Sequence, residues 1–388
     1  MSARDTSNVA AFLQGIAGEL AEIHRGSDYS LWRGEAKHRV DCYLAGAEPF
    51  SDFANCWVFS GDGAGSVLGG RFGEWAVDRL VEKLTPGEII ACFEAEIARN
   101  AATYEEVSPV LGLQFTEPCE LAPGVRLAPP SSDIFDLRNP TYRFAWPHMP
   151  TGTGFLVQTY TVVPAFEPRP PDATSPAGMS VTRPPAPDRD EVRRRCRLAC
   201  VLGATGGVEL PMSLIVADPA ALFAVGGAVA ARPFAPQPLV GFPADMAAIK
   251  RVFEQLATFG DGDSLARAID RLGRSRLAVH PVDRALDLGM AAEIVLMHDQ
   301  SRSNTEITHK IASRAAWLLG ADASERAVIF AEMKQLYAAR SSAVHSGVLP
   351  SNSRVDLDIA DALVSRAIRA ILDRGRFPDW MSLTLGGS

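Results

Sequence analysis

Leu336-Tyr337-Ala338-Ala339-Arg340-Ser341-Ser342-Ala343-Val344-His345-Ser346-Gly347 closes a long amphipathic run that opens at Ser324. Met333, Leu336, Tyr337 and Val344 recur at helical spacing. That apolar stripe predicts a helix over 324–343, and Gly347 stands where a helix of this kind stops. Helical periodicity recurs around it over 190–202, 245–258, 264–272, 282–297, 305–319 and 356–372. Ser264 and Ser324 stand where N-caps belong, and Gly320 follows its helix as a C-terminal glycine should. Residues 241–388 therefore read as an all-α helical bundle, entered through a connecting helical region at 188–240.

The sequence before that bundle reads differently. An amphipathic helix is expected over 9–23 from Phe12, Leu13, Ile16 and Leu20, and further helices over 74–83 and 86–100. Cys56-Trp57-Val58-Phe59 and the run 155–163 read as strands, the latter alternating at its centre. Residues 1–163 are thus expected to form an α+β domain. Residues 164–187 hold eight prolines in 24 positions, a composition poor in amide donors that predicts an extended linker or exposed insertion. The fold class expected for the whole chain is α+β, a mixed N-terminal region followed by a helical bundle.

Composition narrows the function. The chain has 388 residues, 47% hydrophobic and 22% charged, which excludes disorder throughout and suits about two domains at roughly 150 residues each. Its longest uncharged apolar stretch, 220–231, is shorter than the roughly 20 residues a spanning helix needs. The opening residues Met1-Ser2-Ala3-Arg4-Asp5 lead into a stretch carrying Glu19 and Glu22 rather than the short apolar run of a secretory signal, so a cytoplasmic protein without a membrane partner is expected. Six cysteines with no Cys-x-x-Cys pair indicate neither a disulfide framework nor a zinc ribbon. The net charge of −8 argues against coating nucleic acid by bulk electrostatics. Residues 241–388 are neutral, with 18 basic against 18 acidic side chains, so the first 240 carry the whole acidic excess.

Familiar catalytic motifs are missing. Gly61-Asp62-Gly63-Ala64-Gly65 follows an expected strand but has neither dinucleotide-binding spacing nor a Walker lysine, and reads as a turn. The seven histidines form no pair at convincing metal-ligand spacing, and no Gly-x-Ser-x-Gly elbow occurs. No metal and no cofactor are expected. An arginine separated from a following histidine by four to six intervening residues occurs five times: Arg33/His38, Arg143/His148, Arg274/His280, Arg302/His309 and Arg340/His345. Prolines interrupt or follow two of these, and Arg33/His38 lies in a short polar patch. Only Arg340/His345 closes a long amphipathic helix.

The run Tyr337-x-x-Arg340-Ser341-x-x-Val344-His345-x-Gly347 resembles the signature of the HEPN superfamily, in particular its Apea-like branch. The resemblance extends over roughly 140 residues. Asp283-x-x-x-Asp287 with Ala291-Ala292-Glu293 resembles the family's first core helix, Ile311-x-x-Arg314-x-x-x-Leu318-Leu319-Gly320 the second, and the helix over 356–372 the closing one. It implies that two protomers pack their arginine–histidine helices together and cleave RNA without metal. The partners implied are therefore an RNA substrate and a second copy of the chain, bound through the C-terminal bundle. Many members of the family serve anti-phage defence or toxin-like growth arrest, with a regulatory ligand or phage component as trigger; here that trigger would act at the N-terminal region. Some relatives carry a modified tyrosine two residues after the histidine; here Gly347 occupies that position, so the resemblance does not extend to that control.

The residues make sense of this chemistry on their own terms. An ordinary imidazole titrates near pH 6.5, so His345 can take a proton from a ribose 2′-hydroxyl or give one to a departing 5′-oxygen. Arg340 can hold the phosphate and stabilise charge in the transition state. Ser341 shares a helix face with His345 and can orient the imidazole or a phosphate oxygen. Glu293 and Arg314 each sit among apolar residues, and burying either alone is costly, so they are expected to pair across helices as a structural ion pair. Another reading stays open. An arginine and a histidine near a helix C-terminus also complement its dipole, which suits a non-catalytic dimerisation or nucleic-acid-binding module. Five residues separate Arg340 from His345, about 140° around an α-helix, so meeting on one phosphate requires a bent helix end or a second protomer.

Overall fold

A computed structural model describes residues 6–23, 29–60, 66–130, 153–170, 188–218, 220–224, 228–231, 241–299, 306–349 and 354–385. The helices are α1 (Ser7–Ile23), α2 (Tyr29–Leu44), α3 (Ser51–Ala54), α4 (Phe72–Val81), α5 (Pro86–Arg99), α6 (Arg189–Gly203), α7 (Met246–Thr258), α8 (Gly262–Leu277), α9 (Pro281–Leu296), α10 (Ile307–Leu319), α11 (Ala323–Ser346), α12 (Leu357–Asp373) and α13 (Trp380–Thr384). The strands are β1 (Cys56–Phe59), β2 (Ser66–Val67), β3 (Ala102–Val110), β4 (Leu113–Gln114), β5 (Cys119–Ala122), β6 (Val125–Ala128), β7 (Gly154–Val162), β8 (Ala165–Pro168), β9 (Met212–Ala217), β10 (Ala228–Ala231) and β11 (Phe242–Pro243). The fold is α+β, and its C-terminal half is helical from α7 onward. Among the described residues no helix is long and apolar enough to cross a membrane.

The chain divides into two compact units. The first comprises Met1–Val107, Gln158–Pro187 and Ser213–Ala231, and the second Ser108–Val157, Asp188–Met212 and Arg232–Ser388. This division cuts across the boundary expected at 163. The physical reason is burial: Val110, Leu113, Leu121, Leu127 and Leu156 join the same core as the helices from α6 to α12. A six-stranded sheet runs in the order β10-β9-β3-β7-β6-β5, with β3 and β9 antiparallel from Tyr104↔Ala217 to Val107↔Leu214.

In the first unit, α1, α2, α4 and α5 bury one core built on Leu13, Phe50, Phe72 and Phe93, with the Phe50 and Phe93 rings stacked at 3.9 Å. The polar patch at Arg33/His38 is helical: α2 buries Trp32, Ala36, Val40 and Leu44, one side chain per turn. The proline-rich stretch is not wholly linker, because β8 pairs antiparallel with β1, Trp57 opposite Glu167. Residues 171–187, the Gly61–Gly65 turn, the Arg143/His148 pair and Arg302 lie outside the described residues.

In the second unit α9 packs against α8, α10, α11 and α12. Leu288, Ala291, Ala292, Val295 and Leu296 are its buried residues toward the C-terminal end. Aspartates, not the expected serines, cap the helices. Asp261 Oδ1 accepts from the Ser264 amide at 3.4 Å to start α8, and Asp322 Oδ1 from the Glu325 amide at 2.8 Å to start α11. A side chain at N-cap reaches the amide three residues on, which places the cap three positions before Ser264 and Glu325. Gly320 does end α10, but at φ −85°, a conformation open to any residue.

Candidate functional site

α11 is helical for the reason its sequence suggests: Ile329, Met333, Leu336, Tyr337, Ala339 and Ala343 are buried along one stripe. Val344, expected on that stripe, is instead 52% exposed. The helix stops at Gly347, whose φ of 71° lies in the left-handed region and whose amide donates to the Ala343 carbonyl at 3.1 Å. Arg340, Ser341 and His345 occupy its last turns.

Arg340 faces inward, onto α9. A Cβ added at Gly289 would lie 2.5 Å from the Arg340 Cβ, so the backbone of α9 at Gly289 and the arginine stem touch closely. One turn further along α9, Glu293 Oε2 lies 3.0 Å from Arg340 Nη2. The guanidinium also sits 5.4 Å from the centre of the Tyr337 ring. Gly289 and Glu293 are four apart on α9, and Tyr337 and Arg340 three apart on α11, so each pair shares a helix face. The Glu293–Arg340 ion pair is a charge contact more than an aligned hydrogen bond, since Glu293 Oε2 and Arg340 Nε have no hydrogen-bond partner. With side chains 24% and 35% exposed, a pair of this kind contributes about 1 kcal/mol or less. Burial raises the Tyr337 phenol above its ordinary value, and the negative charge of Glu293 adds to the shift. That keeps Tyr337 a neutral hydroxyl beside the guanidinium.

The expected ion pair between Glu293 and Arg314 does not form. Arg314, on α10, is 8% exposed. Its guanidinium grips both carboxylate oxygens of Asp299 at 2.7 and 3.1 Å, donates to the Leu296 carbonyl at 2.6 Å, and lies 5.0 Å from the centre of the Trp380 ring. Asp299 lies just beyond the end of α9, where one arginine can satisfy a carboxylate and a free helix carbonyl together. Glu293 faces α11 instead. Both charges are paired, but with partners other than each other.

His345 is exposed, and its imidazole makes no hydrogen bond or ion pair with any described residue. Ser341 is half-buried, and its hydroxyl is likewise free among the described residues. The hydroxyl network of this turn belongs to its neighbours: Ser346 Oγ donates to the Ser342 carbonyl at 2.7 Å. Ser341 and His345 therefore share a helix face without touching. Arg340 and His345 diverge within one chain, the first held against α9 and the second projecting to solvent, with about 7.5 Å of helix rise between them. His345 is thus an exposed imidazole at a helix end, while Arg340 faces α9 in an ion pair with Glu293.

Tyr337, Gly289 and Asp299 take part here without having stood out as site residues in the sequence. Tyr337 belongs to the apolar stripe of the sequence, and its spacing to Arg340 is the signal that links the two; Gly289 and Asp299 carry no such signal. Among the described residues no group of three or more His, Cys, Asp or Glu side chains is placed to hold a metal ion. No protein-family model, no curated protein and no solved structure matches this chain, so the roles of Arg340 and His345 rest on their own chemistry.

Proposed function

We propose that the second unit is a metal-independent endoribonuclease of the HEPN type that acts as a pair of identical chains. The observation that carries this reading is His345: an imidazole left exposed and unpartnered at a glycine-capped helix end, five residues after an arginine held by a weak, exchangeable ion pair. In this reading a second copy brings its own last turn of α11 opposite the first, so that an arginine of one chain and a histidine of either address the same phosphate. An RNA phosphate displaces Glu293 from Arg340, because a bidentate charged contact outweighs a half-exposed one. His345 takes the proton of the attacking 2′-hydroxyl as the 2′-oxygen bonds to phosphorus, Arg340 stabilises the added charge, and the bond from phosphorus to the 5′-oxygen breaks as the imidazolium gives a proton to that oxygen, leaving a 2′,3′-cyclic phosphate and a 5′-hydroxyl. Ser341 orients the imidazole or a phosphate oxygen. The reading extends, through the resemblance alone, to a cytoplasmic role in anti-phage defence or growth arrest, with the acidic first 240 residues restraining the nuclease until a ligand or phage component engages them.

A second reading has its own observation. Arg340 is neutralised by Glu293 and stacked near Tyr337, which is also what a purely structural arginine looks like, and favours a non-catalytic bundle that binds or dimerises. The two separate in one experiment on the full chain. RNA is incubated with the protein in EDTA, and product ends are identified by mass spectrometry. His345→Ala abolishes cleavage and leaves the oligomeric state unchanged, whereas Arg340→Ala lowers the rate by about 10²–10³-fold. Cleavage that survives in His345→Ala, or that proceeds on RNA with a 2′-deoxy scissile nucleotide, refutes the mechanism. No cleavage of any RNA by the wild-type dimer decides for the binding module.

A further inference from the structure

A second feature of the helical unit lies away from Arg340, Ser341 and His345. It is a half-open cleft of about 520 Å³ between α8, α9 and α12 and the residues just after α6. Four arginines line it, Arg276, Arg284, Arg366 and Arg369, against two carboxylates, Asp358 and Asp361. Beyond the lining, Glu325 reaches Arg366 at 3.1 Å, and Asp245, Asp373 and Arg251 act on Arg369; the excess of positive charge is that of the lining itself.

The four arginines fall into two kinds. Arg276 is fixed: its side chain is 4% exposed, it grips Asp361 through Nε and Nη2, and it donates to the Val201 and Ala204 carbonyls at 2.5 and 2.8 Å. Arg369 donates to the Leu202 carbonyl, so both close the free carbonyls at the end of α6. Arg284 and Arg366 are different. Their carboxylate partners, Asp358 and Glu325, are 86% and 39% exposed, and ion pairs of that kind hold with about 1 kcal/mol or less. Each also donates to a backbone carbonyl, Arg284 to Leu357 at 3.2 Å and Arg366 to Leu319 at 3.4 Å, so the exposed carboxylate contacts are the ones an incoming anion would replace.

Two further observations concern the donors of this cleft. The Nε–H groups of Arg284 and Arg369 are shielded from solvent and have no acceptor, whereas buried donors are as a rule satisfied. Burial, with the Arg276 and Arg251 charges adding to it and Asp245 and Asp373 opposing it, holds the Arg369 guanidinium below its ordinary value. Arginine is the side chain best matched to phosphate, which it grips through two parallel N–H donors. The volume falls in the range of small-ligand sites. Phe242 supplies an aromatic wall and Ser365 a hydroxyl.

We infer that this cleft binds the phosphate group of a nucleotide, with Arg276 and Arg369 as a fixed cationic floor and Arg284 and Arg366 as the clamp that exchanges Asp358 and Glu325 for phosphate oxygens. The phosphate belongs to a free nucleotide or to the end of an RNA strand. This inference stands whether or not the unit cleaves RNA.

The test is isothermal titration of the full chain with ATP, and with a short 2′-O-methyl RNA carrying either a 5′-phosphate or a 5′-hydroxyl. Binding of ATP assigns the cleft to a free nucleotide; binding of the 5′-phosphorylated strand alone assigns it to an RNA end. In either case Arg284→Gln and Arg366→Gln each weaken binding about tenfold, the loss expected for one charge-assisted contact. Arg366→Lys, which keeps charge and fold but loses the planar donors, recovers only part of it. His345→Ala leaves the affinity unchanged, so this site and the ribonuclease reading fail separately. No binding of any probe at millimolar concentration, or unchanged affinity in the Arg284→Gln/Arg366→Gln double variant, overturns the inference.

Discussion

Replacing Gly289 by alanine tests the contact that positions Arg340. Gly289 lies within α9, where alanine is favoured over glycine by about 1 kcal/mol. At an open helical position the substitution is therefore stabilising. Here the new Cβ would lie 2.5 Å from the Arg340 Cβ, whereas carbon atoms rest at about 3.5–4.0 Å. The neighbour is the root of a side chain, so a change of rotamer does not relieve the overlap; α9 and α11 must part by about 1 Å. Forcing an extra methyl group into a packed contact costs about 1–3 kcal/mol, and the neighbours Leu288, Ala291 and Ala292, which are 0–2% exposed, lie on the helix that moves. Set against the helix-propensity gain, the net effect is a destabilisation of up to about 2 kcal/mol. Gly34→Ala is the matched control, since Gly34 lies within α2 with nothing within 4 Å of its Cβ position, and it stabilises by about 1 kcal/mol. Hydrogen exchange followed peptide by peptide reads α9 and α2 separately: protection falls across α9 in Gly289→Ala and rises across α2 in Gly34→Ala. Arg340→Ala does not rescue Gly289→Ala, because the offending Cβ remains. If Gly289→Ala protects α9 as Gly34→Ala protects α2, the close approach of α9 and α11 is wrong, and with it the placement of Arg340.

Two further outcomes are expected. Arg276→Ala leaves Asp361 buried without its partner and destabilises the helical unit by about 3–5 kcal/mol, whereas Arg284→Ala, whose partner Asp358 is 86% exposed, costs under about 1 kcal/mol; equal denaturant midpoints for the two would contradict this. α5 starts with a capping box in which Thr85 accepts from the Glu88 amide while the Glu88 carboxylate accepts from the Thr85 amide and hydroxyl. Thr85→Ala costs about 1 kcal/mol. The Thr85 amide, with its hydroxyl, holds the Glu88 carboxyl below the usual glutamate range, so its contribution is complete above that range and disappears as pH falls through the lowered value. Thermal melts of wild type and Glu88→Gln should therefore converge in acid, and a gap that stays constant with pH would show that the carboxylate does not cap.

Local periodicity is strongest where the sequence reading worked. The expected helices over 190–202, 245–258 and 356–372 match α6, α7 and α12 to within one or two residues at either end, because each buries a broad apolar face whose repeat is visible within three turns. The same signal fails in α2. Trp32, Ala36, Val40 and Leu44 give only one buried side chain per turn among charged neighbours, too narrow a stripe to stand out from a polar patch. The strand β8 was hidden for a different reason: its four residues are defined by pairing with β1, more than a hundred positions earlier.

The sequence by itself determined that the described chain from α7 onward is helical, that α11 ends at Gly347, and that Arg340, Ser341 and His345 fall together in its last turns, because all three depend on neighbours within a few residues. Tertiary structure alone decided which charges meet. Glu293, half-buried, and Arg314, buried, each sit among apolar residues, yet the choice of Arg340 for one and Asp299 for the other follows from how α9, α10 and α11 are rotated against one another. Spacing within a helix does not encode that rotation. It also decided that Arg340 turns inward while His345 stays in solvent, and it brought Arg276, Arg284, Arg366 and Arg369 from three helices to one cleft. A charge's need for a partner is a local property of burial, but the partner's identity is set by packing across the whole unit.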